Sequence, residues 1–535
     1  MDGPVKSLLS KLDYLEPRFL PLGQIVSDNA QRYPDAIALT QGTRETSWAT
    51  FERATNQIAN GFLAEGVRPG ARIAYLGKTT DLAFLIMHAC AKARAVFTPI
   101  NWRLSGPEVA YVLEDAQAVI LFVDKALSPL LLNGRESGGV PEILIDLEGG
   151  DSDDESDFSN WRSRFSAHAP GIDICNEDIV LQLYTSGTTG RPKGALISQE
   201  YVMNVGRMWH AEQEDIYDML PGEEHLNFYP IFHTSGAISG HYNTFARGCG
   251  IVIFPDFDLE QILDCIDRRA IPLLGGVPTM LQMFLSHPRF QQLDFSNTRY
   301  VMYGAAPMPA PLRNSLIELV GCRFCQGYGA TECLNISVLR PQDHETESGR
   351  LESVGRPMAG VDVRIVDAKG ETLPIGTIGE IAIRAPAMVT SYWNLPEASA
   401  AAFRDGWYLT GDGGCIDEDG YLYLKERIKD LIISGGENIY PAEIENLLYA
   451  QPSVQSAAVV ALADDKWGEV PVAFIVTEKG HEFDPEALRY CVAEHLARYK
   501  QPKHYWQLEA LPLSGSGKVL KKDLRALALA LLDDE

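Results

Sequence analysis

Ile179-Val-Leu-Gln-Leu-Tyr184-Thr-Ser-Gly-Thr-Thr-Gly-Arg-Pro-Lys-Gly194 runs from an apolar strand pattern straight into a loop of glycines, hydroxyls and cations. Between Tyr184 and Gly194, three glycines and four aliphatic hydroxyls stand beside Arg191 and Lys193. Glycines let backbone N–H groups turn inward, hydroxyls donate further hydrogen bonds, and cations neutralise charge, so the pattern is suited to holding phosphate. It is not a Walker A loop. That motif needs Gly-Lys-Ser/Thr after a four-residue gap, and here Gly190 is followed by Arg191-Pro192.

Upstream, helical and strand patterns alternate. Ser47 to Glu65 is helical, Arg72–Leu76 a strand, Asp81 to Arg94 helical, Ala95–Ile100 a strand, Pro107 to Asp115 helical and Ala118–Val123 a strand. Strands separated by helices imply βαβ units and parallel sheet. Helix and strand patterns resume from Gln199 to Met302. From Val361 to Ile383 the texture changes to short strands with Gly/Pro turns, and a further α+β block follows: Ile439 to Leu448 helical, Val454 to Leu462 and Val472 to Val476 strands, Pro485 to Leu496 helical. The expected class is α/β. A large N-terminal domain of doubly wound sheets (residues 1–428, with a small β-subdomain at about 355–428) precedes a small mobile α+β C-terminal domain (429–535). No internal repeat is present, and Gly149–Asp157 reads as a solvated acidic loop.

At 535 residues the chain exceeds a single core. Its formal charge of −26 disfavours nucleic acid and anionic lipid as partners. The nine cysteines are odd in number and scattered, which favours a reducing compartment. Cys322-Arg-Phe-Cys325 has no second pair and lies in a strand pattern, so it is a poor zinc site. The start lacks a signal-peptide pattern and the end lacks a targeting address. Leu82 to Cys90, the longest apolar stretch, reads as a buried helix and not a membrane span. A cytoplasmic protein is expected.

Further motifs follow in order. They are Thr98-Pro-Ile-Asn-Trp-Arg-Leu104, Phe228-Tyr-Pro-Ile-Phe-His-Thr-Ser-Gly236, Met302-Tyr-Gly-Ala-Ala-Pro307, Gln326-Gly-Tyr-Gly-Ala-Thr-Glu332, and Thr410-Gly-Asp412 with Arg427 beyond it. Then come Ser434-Gly-Gly-Glu-Asn-Ile-Tyr-Pro-Ala-Glu-Ile-Glu445, Lys466-Trp-Gly-Glu469 and Leu511-Pro-Leu-Ser-Gly-Ser-Gly-Lys518. With the opening loop, this set resembles the signature of the adenylate-forming (AMP-binding) superfamily of acyl-CoA synthetases, amino-acid adenylation domains and luciferases. Within it the chain looks most like bacterial fatty-acid–CoA ligases.

The resemblance implies a nucleotide site. Thr185, Ser186, Gly187, Thr188, Thr189, Gly190 and Lys193 would hold the departing pyrophosphate. Gly304, Ala305, Ala306 and Pro307 would form the adenine-binding turn, continued by Gln326, Gly327, Tyr328 and Gly329, with Tyr328 stacking on the base. Thr331 would meet the α-phosphate, Glu332 would serve as a hard oxygen ligand for Mg²⁺, and Asp412 and Arg427 would bind the ribose. Glu426 departs from the Gly or Asp common before that arginine.

The implied catalytic groups are Lys518, His233 and Glu332, with Lys521 standing where an arginine is common. His233 would lie beside the substrate carboxylate, where amino-acid-activating relatives carry Asp, so the acid is expected to lack an α-amino group. Lys518, a compact cation on a flexible stem, would bridge carboxylate and α-phosphate. Lys429 occupies the hinge position, Ser434, Gly435 and Gly436 would border the pantetheine arm of CoA, and Trp467 would stack on CoA adenine or serve structurally. Arg498, Lys500 and Lys503 read as a solvated basic face in preference to CoA-phosphate contacts. The acyl pocket is expected from His233, Ala237, Gly240, Val277, Gly304, Gly327 and Leu334, with no cation for a second carboxylate.

The implied activity is ATP-dependent acid–CoA ligation through acyl-AMP. Mg²⁺ is the cofactor, ATP and CoA are co-substrates, and a small-molecule carboxylic acid is the partner. A medium- or long-chain fatty acid is the first choice, with an aryl or steroid-side-chain acid as alternative. No nucleic acid and no integral membrane span are expected, and a homodimer is admitted. A luciferase-like oxygenase, a nucleotide-binding pseudoenzyme and a carrier-protein acceptor are the competing readings.

Overall fold

The computed structural model describes residues 17–535 except 148–156, 186–191, 213–214, 221, 307, 346–348, 428–429, 431, 435–436, 465, 515–517 and 534–535. The phosphate-type loop sits on a six-stranded sheet. Its strands run in the order Ile143–Asp146, Ile120–Val123, Arg72–Leu76, Val96–Ile100, Ile179–Thr185 and Lys193–Ser198. The first five are parallel, and the last turns back antiparallel as a hairpin.

Alternation along Arg72–Leu76 explains the layering. Ile73 and Tyr75 pack with helices Trp48–Ala64 and Asp81–Lys92, while Ala74 and Leu76 face the core built on helix Gly106–Ala116. Helices therefore cover both faces, as a doubly wound sheet requires. Local chemistry sets the helix starts: Ser47 Oγ accepts from Thr50 N, and Ser105 with Glu108 forms a capping box ahead of Pro107. Helix Asp81–Lys92 is buried along nearly its whole length, which accounts for its apolar sequence, and no helix among the described residues is long and apolar enough to cross a membrane.

A second sheet pairs the hairpin Ile37–Gln41 and Arg44–Ser47 with Gly250–Ile253 and Glu224–Asn227. A third joins Leu273–Gly276, Tyr300–Gly304 and Arg323–Tyr328 in parallel, then Ser337–Leu339 and Arg356–Pro357 antiparallel. Cys325 lies buried in the third of these strands, and none of the nine cysteines takes part in a disulfide. The small β-unit is an antiparallel sheet of Asp362–Val366, Gly379–Arg384, Trp407–Ile416, Phe403–Arg404 and Leu422–Arg427.

The C-terminal block has its own core around Val454–Asp464 and Gly468–Thr477, flanked by helices Pro441–Tyr449, Pro485–His495 and Lys521–Asp533. Ile439 differs from expectation. It pairs with Ile432 in a strand, and Pro441 opens the helix two residues later. The expected hinge, Lys429, lies outside the described residues, as do most of Gly149–Asp157.

Lys92 is a buried charge in the first core. Only 4% of its side chain is exposed, and its Nζ lies 2.5 Å from Glu52 Oε2 and 2.7 Å from Asn56 Oδ1. Removing one partner of such a pair strands the other charge. Lys92→Ala is expected to cost about 3 kcal/mol and lower the urea midpoint, whereas Lys92→Met with Glu52→Leu should recover most of that loss.

Candidate active site

The hairpin Ile179–Thr185/Lys193–Ser198 ends at the pair Thr185↔Lys193, so the phosphate-type loop is its tip. Ser186, Gly187, Thr188, Thr189 and Gly190 lie outside the described residues; the stem does not. At Gly194 a side chain would sit 2.7 Å from Gln182 Nε2, and Gly194 O accepts from Trp393 N at 2.8 Å. Lys193 Nζ stands 5.1 Å from the centre of the Tyr392 ring. Tyr392 Oη donates to Glu332 Oε1 at 2.6 Å, and the Tyr408 hydroxyl bonds the same carboxylate. Tyr392 thus links the loop's lysine to Glu332, which is buried.

The parallel strands of the third sheet deliver Gly304 and Tyr328 at their carboxyl ends, where ligands bind in open α/β sheets. A Cβ on Gly304 would overlap Gly327 O, so this close approach requires glycine at 304. Ala305 follows with φ +67°, a left-handed conformation that a non-glycine residue adopts at a cost. Pro307 lies outside the described residues. Tyr201 Oη donates to Thr331 O at 3.0 Å and accepts from Leu334 N at 2.7 Å, which fixes the turn that carries Glu332.

Tyr328 Oη donates to Asp412 Oδ2 at 2.6 Å. Burial, and then the Asp412 charge, hold this phenol well above its ordinary pKa, so it remains a donor. Asp412 N in turn donates to Thr410 Oγ1 at 3.1 Å, and Asp412 stands opposite Arg427 across the antiparallel pair. The backbone of Arg427 is described; its side chain is not.

His233 precedes a single π-turn, Ser235–Ser239, of the kind that recurs at functional sites. Burial drives its pKa down to about 4, and the positive charges of Lys518 and Arg103 push the same way. The ring is therefore neutral at pH 7. Its Nε2 is buried and has no hydrogen-bond partner among the described residues. Lys518 arrives from the other end of the chain on a closed turn: Ser514 N donates to Lys518 O at 2.7 Å, and Lys518 N to Ser514 Oγ at 3.1 Å.

In the C-terminal block Ser434 pairs with Gly468, one residue from Trp467, which is 49% exposed beneath Lys466 Nζ. Gly435 and Gly436 lie outside the described residues. Lys500 pairs with Glu443 at 2.7 Å and Lys503 with Asp464 at 2.9 Å, so both cations are engaged within the block.

The description "AMP-binding enzyme" matches residues 26–393, and "AMP-binding enzyme C-terminal domain" matches 443–518. This chain belongs to the AMP-binding enzyme family. It is 35% identical over 511 residues to the fatty acid–[acyl-carrier-protein] ligase ScoC of Streptomyces coeruleorubidus, covering 95% of this chain and 96% of that one. It is 36% identical over 507 residues to a feruloyl-CoA synthase of an Amycolatopsis species, covering 94% and 98%. The ATP-bound crystal structure of MatB from Rhodopseudomonas palustris superimposes with a TM-score of 0.85 at 28% identity, covering 95% and 98%. Such relatives place the chain among the AMP-forming acid–thiol ligases.

In this AMP-binding enzyme the expected acyl-pocket residues divide. At Gly327 a Cβ would stand 3.0 Å from Met302 Cε, a tight contact with the end of a flexible side chain, and Leu334 is half-buried. Ala237, by contrast, is sealed in the core, Val277 is buried, and the Cβ direction of Gly240 is filled by the His225 ring. Tyr201 and Tyr392, which hold the turn carrying Glu332, lie at positions that the motifs alone do not single out.

His225, His233 and His344 each have a pKa lowered to about 4, against an ordinary 6.5, with burial as the first cause. The unfolded chain therefore binds more protons than the fold between these values, and stability rises with pH there. The urea midpoint is expected to fall steadily as pH drops from about 6.5 towards 4. A midpoint that stays flat across this window would contradict the neutral histidines.

Proposed function

We propose that the protein is an ATP-dependent acid–CoA ligase that forms an acyl-AMP and then passes the acyl group to CoA. The observation that carries this reading is the charge of Lys518 acting on the buried, neutral and unpartnered His233. The charge of Lys518 bears on a neutral hydrogen-bonding ring, and the proposed reaction brings a carboxylate and an α-phosphate together beside them. Two anions meet there, and Lys518 offsets their repulsion and the charge that grows on the phosphoryl oxygens. The neutral imidazole leaves the substrate carboxylate nucleophilic, since it does not hold it as a salt.

In the first half-reaction a carboxylate oxygen attacks the α-phosphorus of ATP, and the α–β bond breaks with loss of pyrophosphate to the loop that ends at Lys193. Tyr328 orients Asp412 for the ribose diol. Glu332, fixed by Tyr392, is the buried carboxylate suited to Mg²⁺. Among the described residues no group of three or more potential ligands is clustered, so the remaining ligands would come from phosphates and water, as Mg²⁺ prefers. Mg²⁺ would neutralise the phosphate charge. In the second half-reaction the C-terminal block turns about Lys429, withdraws Lys518 and presents Ser434, Gly435 and Gly436, and the CoA thiolate attacks the acyl carbon with AMP leaving.

A fatty acid or an aryl acid is the substrate class, since relatives of each kind match along the whole chain. ScoC's named acceptor makes a carrier protein the second reading for the thiol. The nine thiols outside any disulfide support a cytoplasmic site of action.

Lys518→Ala should slow acid-dependent pyrophosphate release about 100-fold or more. Transfer from pre-made acyl-AMP to CoA should stay within a few-fold of the unaltered enzyme, measured by thioester formation. Equal loss in both half-reactions would sink the role given to Lys518.

A further inference from the structure

His233 sits in a stretch of backbone that closes on itself. Its N–H donates to Pro230 O at 3.0 Å, and its own carbonyl accepts from Gly236 N at 3.1 Å and Ala237 N at 2.8 Å. A Cβ on Gly236 would fall 2.3 Å from Pro230 O and 2.6 Å from Tyr229 O, so the π-turn lies directly against the segment that precedes the histidine. Where Tyr229, Pro230 and Ile231 are held, the imidazole follows.

Two buried side chains hold that segment. Asn227 ends the strand Glu224–Asn227, and its amide closes the base of the loop: Oδ1 accepts from Tyr229 N at 3.3 Å, and Nδ2 donates to Gly236 O at 3.2 Å. The other is Thr79, which is 3% exposed. Its hydroxyl donates to Tyr229 O at 3.2 Å and accepts from Ile231 N at 2.8 Å. One side chain thus satisfies two backbone groups, as a neighbouring strand would. A hydroxyl can do this because it is donor and acceptor at once. Ile231 is fully buried, so water does not replace Thr79 as the partner of its N–H.

Thr79 and Asn227 belong to different sheets. Thr79 lies just beyond the strand Arg72–Leu76, in the six-stranded sheet that also carries the hairpin Ile179–Thr185/Lys193–Ser198. Its hydroxyl therefore ties the loop of His233 to the sheet that bears the phosphate-type loop. An acid and a nucleotide held by separate sheets react only when the two are aligned, and a misplacement of about 1 Å costs about 100-fold in rate.

We propose that Thr79 is a positioning residue for the reaction and acts through His233. This rests on the acid–CoA ligase reading and goes beyond it, naming what keeps the carboxylate's partner aligned with the phosphates. The full-length protein is compared with Thr79→Val, which keeps the side-chain volume and loses both hydrogen bonds, and with Thr79→Ser, which keeps both. Thr79→Ala carries the same expectations as the valine variant if that one does not fold.

The first readout needs no turnover. In protein isotope-labelled at histidine Cε1, the His233 signal, assigned with His233→Gln, is titrated by NMR. Burial and the charges of Lys518 and Arg103 hold this ring at about 4. In the valine variant it is expected to move towards the ordinary 6.5, because the released loop carries the ring away from those groups; in the serine variant it should stay low. The second readout is acid-dependent pyrophosphate release with ATP, Mg²⁺ and octanoate, palmitate, benzoate or cinnamate, compared on the best of these acids. The valine variant should lose about tenfold or more in kcat with its KM for ATP within about twofold, and the serine variant should keep kcat within about threefold. An unmoved His233 titration in the valine variant would overturn the proposal, as would a moved titration with kcat intact. Pyrophosphate release with none of the acids from the unaltered enzyme would overturn the ligase reading itself, while the titration still decides whether Thr79 holds the ring.

Discussion

The proposed chemistry depends on placing one positive charge beside a neutral imidazole. The chain carries a formal charge of −26, and its substrates, a carboxylate and a nucleoside triphosphate, are anions as well. Without a local cation they would not approach one another. In the proposed mechanism Lys518 supplies it from a block that has a core of its own. A charge delivered on a separate unit can also be removed, which a fixed residue in the sheet could not do. Under the proposed function, that separability would let one cleft serve two transition states of different charge, the phosphoryl transfer and the thiolate attack.

A second constraint is the orientation of carboxylates. Glu332 takes a hydrogen bond from Tyr392 and Asp412 takes one from Tyr328, each at 2.6 Å. Asp115 beneath the loop hairpin takes one from Tyr184 at 2.6 Å, and Asp343 takes one from Tyr421 at 2.7 Å. A phenol whose pKa is raised by burial stays protonated and donates without adding charge. The acidic groups are thus aimed without being neutralised, so they keep their capacity for ribose or cation. Tyr392 does more, since its ring also lies beneath Lys193 and ties the position of the loop to that of Glu332.

The large features of the fold were legible because each rests on local patterning. Helices Trp48–Ala64, Asp81–Lys92 and Gly106–Ala116 and the strands between them lie within a few residues of where apolar periodicity and caps put them. Motif residues such as Gly304 and Tyr328 could be named because short-range geometry, a close strand approach or a strand end, dictates their type. Long-range packing was not legible. The strand role of Ile439 follows from pairing with Ile432. Gly240 and Ala237 look like pocket residues in a motif of small side chains, yet Ala237 is buried and the His225 ring fills the Cβ direction of Gly240. Tyr217 reaches Met302 only because separate segments fold together, which no periodicity records.

The most direct test of a removable Lys518 is the distance between the two units during turnover. Donor and acceptor dyes can be placed at the exposed positions Leu132 and Tyr490, 63% and 67% accessible, by unnatural amino acids. Single-molecule energy transfer is then followed with acid and ATP, and again after CoA is added. The account predicts one distance while acyl-AMP forms and a second, distinct distance when CoA binds, with the enzyme passing between them in each cycle. A single unchanged distance while acyl-CoA accumulates would contradict it.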